Sequence, residues 1–429
     1  MESRIVHPAR PLRGEIVIPG DKSISHRSIM IGSLAEGETT VHGFLHGEDN
    51  HATLKAFRAM GVEIEELAGG VLKIRGRGLD GLTEPGDVLD CGNSGTTIRL
   101  MTGLLAGQRF FSVLTGDRYL RKRPMKRVTG PLVSMGARIW GRGGGDLAPL
   151  ALQGTPLHPI DYASPIASAQ VKSALLLAGL YAEGTTTVRE PHLSRDHSER
   201  MLTAFGAELR PFAGGVSLTG RPRLRGQEIR VPGDISSAAF FLVAALVVPG
   251  SELLVKNVGL NPSRSGVIDI LRAMGGSLEL VDERQAGGEP VADIVVKSSR
   301  LKGIEISGEL VPRAIDELPV VSIAAALAEG TTTIRDAREL RVKETDRIAA
   351  MIGVLTALGV SAQPRDDGMV VHGSDGLRGG TIDSCGDHRI AMSTAIAALR
   401  ATAPVTITDT ACTATSFPNF WELLDKIKT

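Results

Sequence analysis

The sequence predicts an α/β protein of two lobes, each assembled from three copies of one small unit, and three observations carry that reading. A helix followed by a glycine and a threonine-rich strand recurs as SLAEGETTVHGF, LLAGQRFFSVLTG, GLYAEGTTTVRE, ALVVPGSELLVKNV, ALAEGTTTIRDA and, without the glycine, ALRATAPVTITDT. After each of the first five strands a second helix closes in a stereotyped way: FRAMGVEIEE, LVSMGARIWG, LTAFGAELRP, LRAMGGSLEL, LTALGVSAQP. On a longer scale, IVIPGDKSIS and IRVPGDISSA share their Pro-Gly-Asp core, and Asp21 and Asp234 stand 213 residues apart in a chain of 429.

Each element has a local reason. The first-helix glycines Gly37, Gly107, Gly184, Gly250 and Gly330 are spaced by 70, 77, 66 and 80 residues, more than the roughly 20 to 50 of a solenoid repeat, so the unit is a small α/β subdomain. The glycine that ends each second helix reads as a C-cap from which the next strand starts at once. The first helices begin with GDKSISHR, GNSGTT, SPIASAQ, GDISSA, IDELP and GDHRIA, all rich in capping side chains. Pro-Gly at both copies of the longer repeat suits a crossover between lobes. The expected division is 22–229 for the first lobe and 1–21 plus 230–429 for the second, with the active site in the cleft between them.

Composition narrows the function. The 48 basic and 48 acidic residues cancel, so anion specificity must come from local clusters. Aromatics at 3% leave little for base stacking, which argues against nucleic acid as a partner. Cys91, Cys385 and Cys412 have neither CxxC spacing nor an even count and read as free thiols of a reducing compartment. The N-terminus lacks a signal-peptide core and the longest apolar run, Ala238 to Val248, is too short to span a bilayer. The expectation is a cytoplasmic monomer without a membrane partner. HExxH, paired cysteines, calcium-loop spacing and the phosphate-binding GxxxxGK[ST] are all absent from the sequence, so neither metal nor nucleotide is expected.

Chemistry concentrates at the fronts of the helices and in the loops before the second helices. DCGNSGTTIR (Asp90 to Arg99) places two glycines and four small polar side chains ahead of an apolar helix, the makings of an anion-binding turn. GDKSISHR sets Lys22, Ser23 and Arg27 within a turn of one another at a helix N-terminus, where their charge opposes the helix dipole unless an anion offsets it. GDRYLRKRPMKR carries six basic residues between Arg118 and Arg127, in the same slot as SRDHSER and RVKETDR. RVKETDR is expected to be one helical turn with Lys343 and Arg347 as an i, i+4 pair, and Asp316 to sit in a strand-to-helix turn. Asp316 and Glu344 supply two carboxylates beside cationic clusters, the equipment for general acid and base work. GDHR adds His388 and Arg389.

As a set and in this order, GDKSISHR, GNSGTTIR, RKRP, SAQVKSALLLAGL, RDHSERM, DELP, RVKETDR and GDHRIAMS resemble the enolpyruvyl transferases, specifically the branch that acts on shikimate 3-phosphate. The resemblance runs from Gly20 to SFPNFW near the C-terminus. It implies a two-lobed inverse α/β barrel of six βαβαββ units. It also implies transfer of the enolpyruvyl group of phosphoenolpyruvate to the 5-hydroxyl of shikimate 3-phosphate, with release of phosphate and without metal or cofactor. Carried over by motif, Lys22, Ser23, Arg27, Ser168, Ala169, Gln170, Arg195, Asp316 and Lys343 would meet shikimate 3-phosphate. Lys22, Asn93, Gly95, Arg123, Gln170, Arg347 and Arg389 would meet phosphoenolpyruvate. Asp316 would take the hydroxyl proton and Glu344 would protonate the methylene carbon, with Lys22 also at the reacting centre.

Two departures matter. Thr415 stands where one branch of the family has a lysine before SFP, and SAQ replaces that branch's SSQ; with RDHSER these features resemble the second branch and leave Thr415 without an implied role. The alternative within the family acts on UDP-N-acetylglucosamine and uses a cysteine in the loop corresponding to Gly116–Arg127, where this chain has none. A non-catalytic nucleic-acid clamp is opposed by the scarcity of aromatics and by Asp316 and Glu344 within the cationic slots.

Overall fold

The computed structural model describes residues 2–428. Gly20–Val231 forms one compact unit, and the chain through Pro19 and from Pro232 onward forms the other. Six small sheets divide evenly between them.

Each of the first five sheets follows one plan. In the second, Leu89–Asp90 pairs parallel with Phe111–Thr115, which pairs antiparallel with Leu147–Gln153, whose other edge takes Arg138–Gly141. The parallel pair needs a helical crossover and the last two strands form a hairpin, which is the βαβαββ order. Along Thr185–Arg189 buried and exposed positions alternate, so the sheets are covered on one face. What covers them are the first helices. Ile235–Val247 is buried at all thirteen positions, as a helix apolar nearly all round must be, and Lys22–Leu34 is buried from Ile24 to its end even though His26 and Arg27 lie along it. Helices inside and sheets outside make two separate cores, one per unit.

The two Pro-Gly-Asp segments mark where the chain leaves one unit for the other. Arg13–Val17 precedes the Lys22 helix yet pairs parallel with Glu252–Gly259 of the other unit, while Glu228–Arg230 precedes the Ile235 helix yet pairs with Glu36–His42. At both crossings only glycine fits: a Cβ on Gly20 would stand 1.9 Å from the Gly43 carbonyl oxygen, and one on Gly233 2.5 Å from that of Asn257. The second-helix glycines do cap. Gly61, Gly136, Gly206, Gly275 and Gly359 all have positive φ. The sixth unit differs from the rest. Its sheet has three strands, and the place beside Val405–Thr408 is taken by the N-terminal strand Ser3–Val6. Among the described residues no helix is long and apolar enough to cross a membrane.

Candidate active site

In the Gly20–Val231 unit, caps fix the fronts of the three first helices. Asp21 accepts from the Ile24 N–H, Ser94 from that of Thr97 and Ser168 from that of Val171. Lys22 is the first residue of its helix, and its Nζ donates to Asp49 Oδ2 at 3.0 Å, while Asn50 Nδ2 donates to the Lys22 carbonyl. The charge that sequence alone would balance with a bound anion is therefore balanced in part by a carboxylate of the neighbouring helix. Arg27 is buried among hydroxyls: Nε donates to Ser198 Oγ and Nη2 to Ser173 Oγ, both at 2.7 Å, and Nη1 to the Ser23 carbonyl at 2.9 Å. One guanidinium thus ties the first repeat to the third. Ala169 opens the helix capped by Ser168, and Arg195 lies partly buried in the loop before the His197–Ala204 helix.

The opening turn of the Gly95–Ala106 helix gathers a second group. Arg123 Nη2 donates to Asn93 Oδ1, and Asn93 Nδ2 donates to Asp117 Oδ2 at 2.7 Å. Arg99 Nη1 donates to Gln170 Oε1 at 2.7 Å and Gln170 Nε2 to Thr96 Oγ1 at 3.1 Å. Gly95 faces both cations: a Cβ there would stand 2.9 Å from Arg99 Nη1 and 3.0 Å from Arg123 Nη1. Arg99 is absent from the residues the sequence singles out, although it closes the DCGNSGTTIR stretch and its place four residues after Gly95 sets it on the glycine's face of the helix.

Beneath these groups lies a charge cluster the sequence does not announce. Lys172, fully buried, has its Nζ 2.8 Å from Glu190 Oε2 and 2.7 Å from Glu199 Oε1, and donates to the Ser194 carbonyl at 3.3 Å. Burial alone would lower the lysine, but the Glu199 and Glu190 carboxylates outweigh it and hold Lys172 above the ordinary range. Burial raises Glu199 despite the ammonium beside it.

The other unit holds the two candidate acid–base carboxylates. Arg347 is fully buried among carboxylates: Nε donates to Asp387 Oδ2 at 2.8 Å, Nη2 to Asp387 Oδ1 at 3.3 Å and to Glu344 Oε2, and Nη1 to Asp316 Oδ1 at 3.2 Å. Burial opposes that charge; Asp387, Glu344 and Asp316 overcome it and keep the guanidinium protonated. Lys343 Nζ lies 3.3 Å from the same Asp316 oxygen, and Arg389 Nη1 donates to the Asp316 carbonyl at 2.9 Å. His388 sits with Nδ1 3.4 Å from Thr415 Oγ1, so these two meet each other. Asp387, which caps the His388–Ala398 helix, is a residue the sequence reading passed over inside GDHR.

Two local expectations need correction. RVKETDR is not a helical turn: Arg338–Val342 is a 3-10 segment, Lys343 and Glu344 are non-helical, and Arg347 is the first residue of the helix that Asp346 caps. The cap ends the helix on its N-terminal side, and the freed segment carries Lys343 to Asp316. Asp316 itself lies between the short Leu310–Ala314 helix and Leu318–Ala326, not between a strand and a helix. Burial raises all three thiols, including exposed Cys385, above the ordinary range. Cys91 is buried and raised, and burial pushes Cys412 up to about 12.

Residues 6–424 match the family described as EPSP synthase (3-phosphoshikimate 1-carboxyvinyltransferase). A protein of that second name from Syntrophotalea carbinolica is 67% identical over 427 residues, covering 100% of this chain and 99% of the relative, and one from Geobacter sulfurreducens is 66% identical with the same coverage. The chain belongs to the EPSP synthase family. Among solved structures, an EPSP synthase from Acinetobacter baumannii superposes with a TM-score of 0.88 at 49% identity, covering 100% of this chain and 98% of the other. An enolpyruvyl transferase from Streptomyces tendae, NikO, shares the fold at a TM-score of 0.77 and 16% identity, covering 99% and 96%. The fold is the two-lobed inverse α/β barrel that the family resemblance implies, and it agrees with the repeats.

Proposed function

We propose that this protein transfers the enolpyruvyl group of phosphoenolpyruvate to the 5-hydroxyl of shikimate 3-phosphate. The observation that carries the reading is the match to the EPSP synthase family along nearly the whole chain, 6–424, which takes in every motif named above. Its relatives bear the name 3-phosphoshikimate 1-carboxyvinyltransferase rather than that of the UDP-N-acetylglucosamine enzyme.

The division of charge supports a division of labour. In the Gly20–Val231 unit Lys22, Arg27, Arg99 and Arg123 face hydroxyls, amides and few carboxylates, a setting in which phosphate and carboxylate groups gain charge-assisted hydrogen bonds. We assign Lys22, Ser23, Arg27, Ser168, Ala169, Gln170 and Arg195 to shikimate 3-phosphate, and Asn93, Gly95 and Arg123, with Lys22 and Gln170, to phosphoenolpyruvate. The other unit supplies proton transfer through Asp316 and Glu344, with Lys343, Arg347 and Arg389 beside them.

Glu344 gives a proton to the methylene carbon of phosphoenolpyruvate, and the cation that forms at its C2 is attacked by the 5-oxygen as Asp316 takes the hydroxyl proton. The tetrahedral adduct then returns a methyl proton to the Glu344 carboxylate and expels phosphate, which takes up the proton held by Asp316, restoring the enol ether and both side chains. An incoming carboxylate that takes up Arg347 displaces Glu344 from Nη2, so that binding of phosphoenolpyruvate frees the acid at the moment it is needed. Phosphate release, measured with phosphoenolpyruvate and either shikimate 3-phosphate or UDP-N-acetylglucosamine, tests the proposal. Turnover with the sugar nucleotide alone would overturn it.

A further inference from the structure

Away from the residues assigned to substrate, three side chains of the Gly20–Val231 unit converge: His46 in the loop after Glu36–His42, His51 in the first turns of Glu48–Ala59, and Glu66 on Glu63–Leu67. One potential donor atom from each lies within 4.8 Å of the others. His46 Nδ1 is 3.7 Å from Glu66 Oε2, and the two imidazole centroids are 5.4 Å apart. We propose that His46, His51 and Glu66 bind a single transition-metal dication of the Zn²⁺ or Cu²⁺ type.

The donor set selects that class of ion, because imidazole nitrogen suits Zn²⁺, Cu²⁺ and Ni²⁺ whereas Ca²⁺ and Mg²⁺ take oxygen cages. Donors about 2.0 to 2.2 Å from a tetrahedral ion lie roughly 3.3 Å from one another, so the present spread closes by rotation of the exposed His46 and Glu66 side chains toward half-buried His51. The surroundings already orient the donors. Arg58 Nη1 donates to Glu66 Oε1 at 3.1 Å and leaves Oε2 toward His46, an outer contact of the kind that fixes a ligating carboxylate. Buried Phe44 packs edge-on against the His46 ring at 5.1 Å. Lys55 and Arg58 beside His51 repel a dication and so oppose binding in part.

The ion would join a loop, a helix and a strand at the turn of Glu48–Ala59 that also carries Asp49 and Asn50, the residues that hold Lys22. Metal at this place therefore stiffens the support of the Lys22 group without touching it.

The test is titration of metal-free, tag-free full-length protein with Cu²⁺ followed by electron paramagnetic resonance, and with Zn²⁺ by calorimetry, for wild type, His51→Ala and Glu66→Gln. The expected result is one tight equivalent with hyperfine structure from two imidazole nitrogens, weakened at least about tenfold by either substitution and reduced to one nitrogen in His51→Ala. All three proteins retain phosphate release. Should His51→Ala fold poorly, the near-isosteric Glu66→Gln at its exposed position carries the test. Unchanged affinity and spectrum in the variants, or no binding below millimolar metal, would overturn the proposal.

Discussion

Arg347 donates to both oxygens of Asp387, through Nε at 2.8 Å and Nη2 at 3.3 Å, and the pair is closed off from solvent on both sides. Forty residues separate the two in sequence, so the contact joins the start of one helix to the cap of another. Desolvation opposes both charges and their mutual attraction offsets it, so without Arg347 the fully buried Asp387 carboxylate would lose its compensating cation, whereas Arg347 keeps Glu344 and Asp316.

Arg347→Met is therefore expected to lower stability by about 3 to 5 kcal/mol, the usual cost of breaking a buried pair from one side. Adding Asp387→Asn should recover part of that loss, because the stranded carboxylate is then gone. Urea unfolding of the single and double variants checks both statements. A single substitution that costs under about 1 kcal/mol would show that solvent reaches the Asp387 carboxylate freely.

Gly95→Ala puts a methyl group 2.9 Å from Arg99 Nη1 and 3.0 Å from Arg123 Nη1. Both guanidiniums are buried, so they shift only by lengthening the hydrogen bonds to Gln170 and Asn93. On the proposed assignment the KM for phosphoenolpyruvate rises by an amount equivalent to roughly 1 to 3 kcal/mol, and the KM for shikimate 3-phosphate changes much less. Equal rises for both substrates would count against placing Gly95 at the phosphoenolpyruvate subsite.

Asp316→Asn and Glu344→Gln keep shape and hydrogen-bonding reach but remove the proton-transfer group. Each should lower kcat by about 10² to 10⁴ with little effect on KM. Steady-state phosphate release reads this directly. Near-normal turnover in either variant would remove that residue from the acid–base pair.

What the sequence revealed and what it hid follow from the range of the interactions. The repeats were legible because helix ends and one-sided strands are local: Gly61 and its counterparts sit one turn past the residues they cap. Lys22 was legible as a charge needing a partner, but the partner, Asp49, lies 27 residues away and is delivered by packing of the next helix. Asp387 was hidden for the same reason. RVKETDR was misread because its residues favour a helix, whereas Asp346 accepts from the Ala349 N–H at 3.0 Å and so begins a new helix at Arg347. Arg99 was within reach of pattern reasoning, since the i, i+4 relation to Gly95 needs no tertiary information.

His26, between Lys22 and Arg27 in the chain, is fully buried with Nδ1 2.8 Å from Thr53 Oγ1. Burial first, then the charges of Lys22 and Arg27, hold it well below the ordinary histidine value of about 6.5. The unfolded chain binds a proton at this residue below about pH 6.5 and the native protein does not, so stability is full above that pH and falls as the pH drops toward the native value. The slope from this residue approaches about 1.4 kcal/mol per pH unit. His26→Gln, which keeps a partner for Thr53, should flatten the stability–pH curve between pH 6.5 and 5. Parallel curves for the two proteins would show that His26 protonates in the native state.

Lys172 holds two carboxylates, Glu190 and Glu199, and with the Ser194 carbonyl it pins both ends of the segment that carries Arg195 and Ser198. Lys172→Met leaves two buried acids facing each other, and the expected loss is at least about 3 to 5 kcal/mol. Combining it with Glu190→Gln and Glu199→Gln should restore much of the stability, since the charges go together. Function should not return with it. Ser198 Oγ accepts from Arg27 Nε and donates to Ser173 Oγ, so a loosened segment disturbs the hydroxyls around Arg27 while leaving Asn93, Gly95 and Arg123 in place. The stabilised triple variant is therefore expected to show a raised KM for shikimate 3-phosphate with the KM for phosphoenolpyruvate little changed. Full recovery of both constants alongside stability would reduce the Lys172 cluster to a packing element with no part in positioning Arg27 or Arg195.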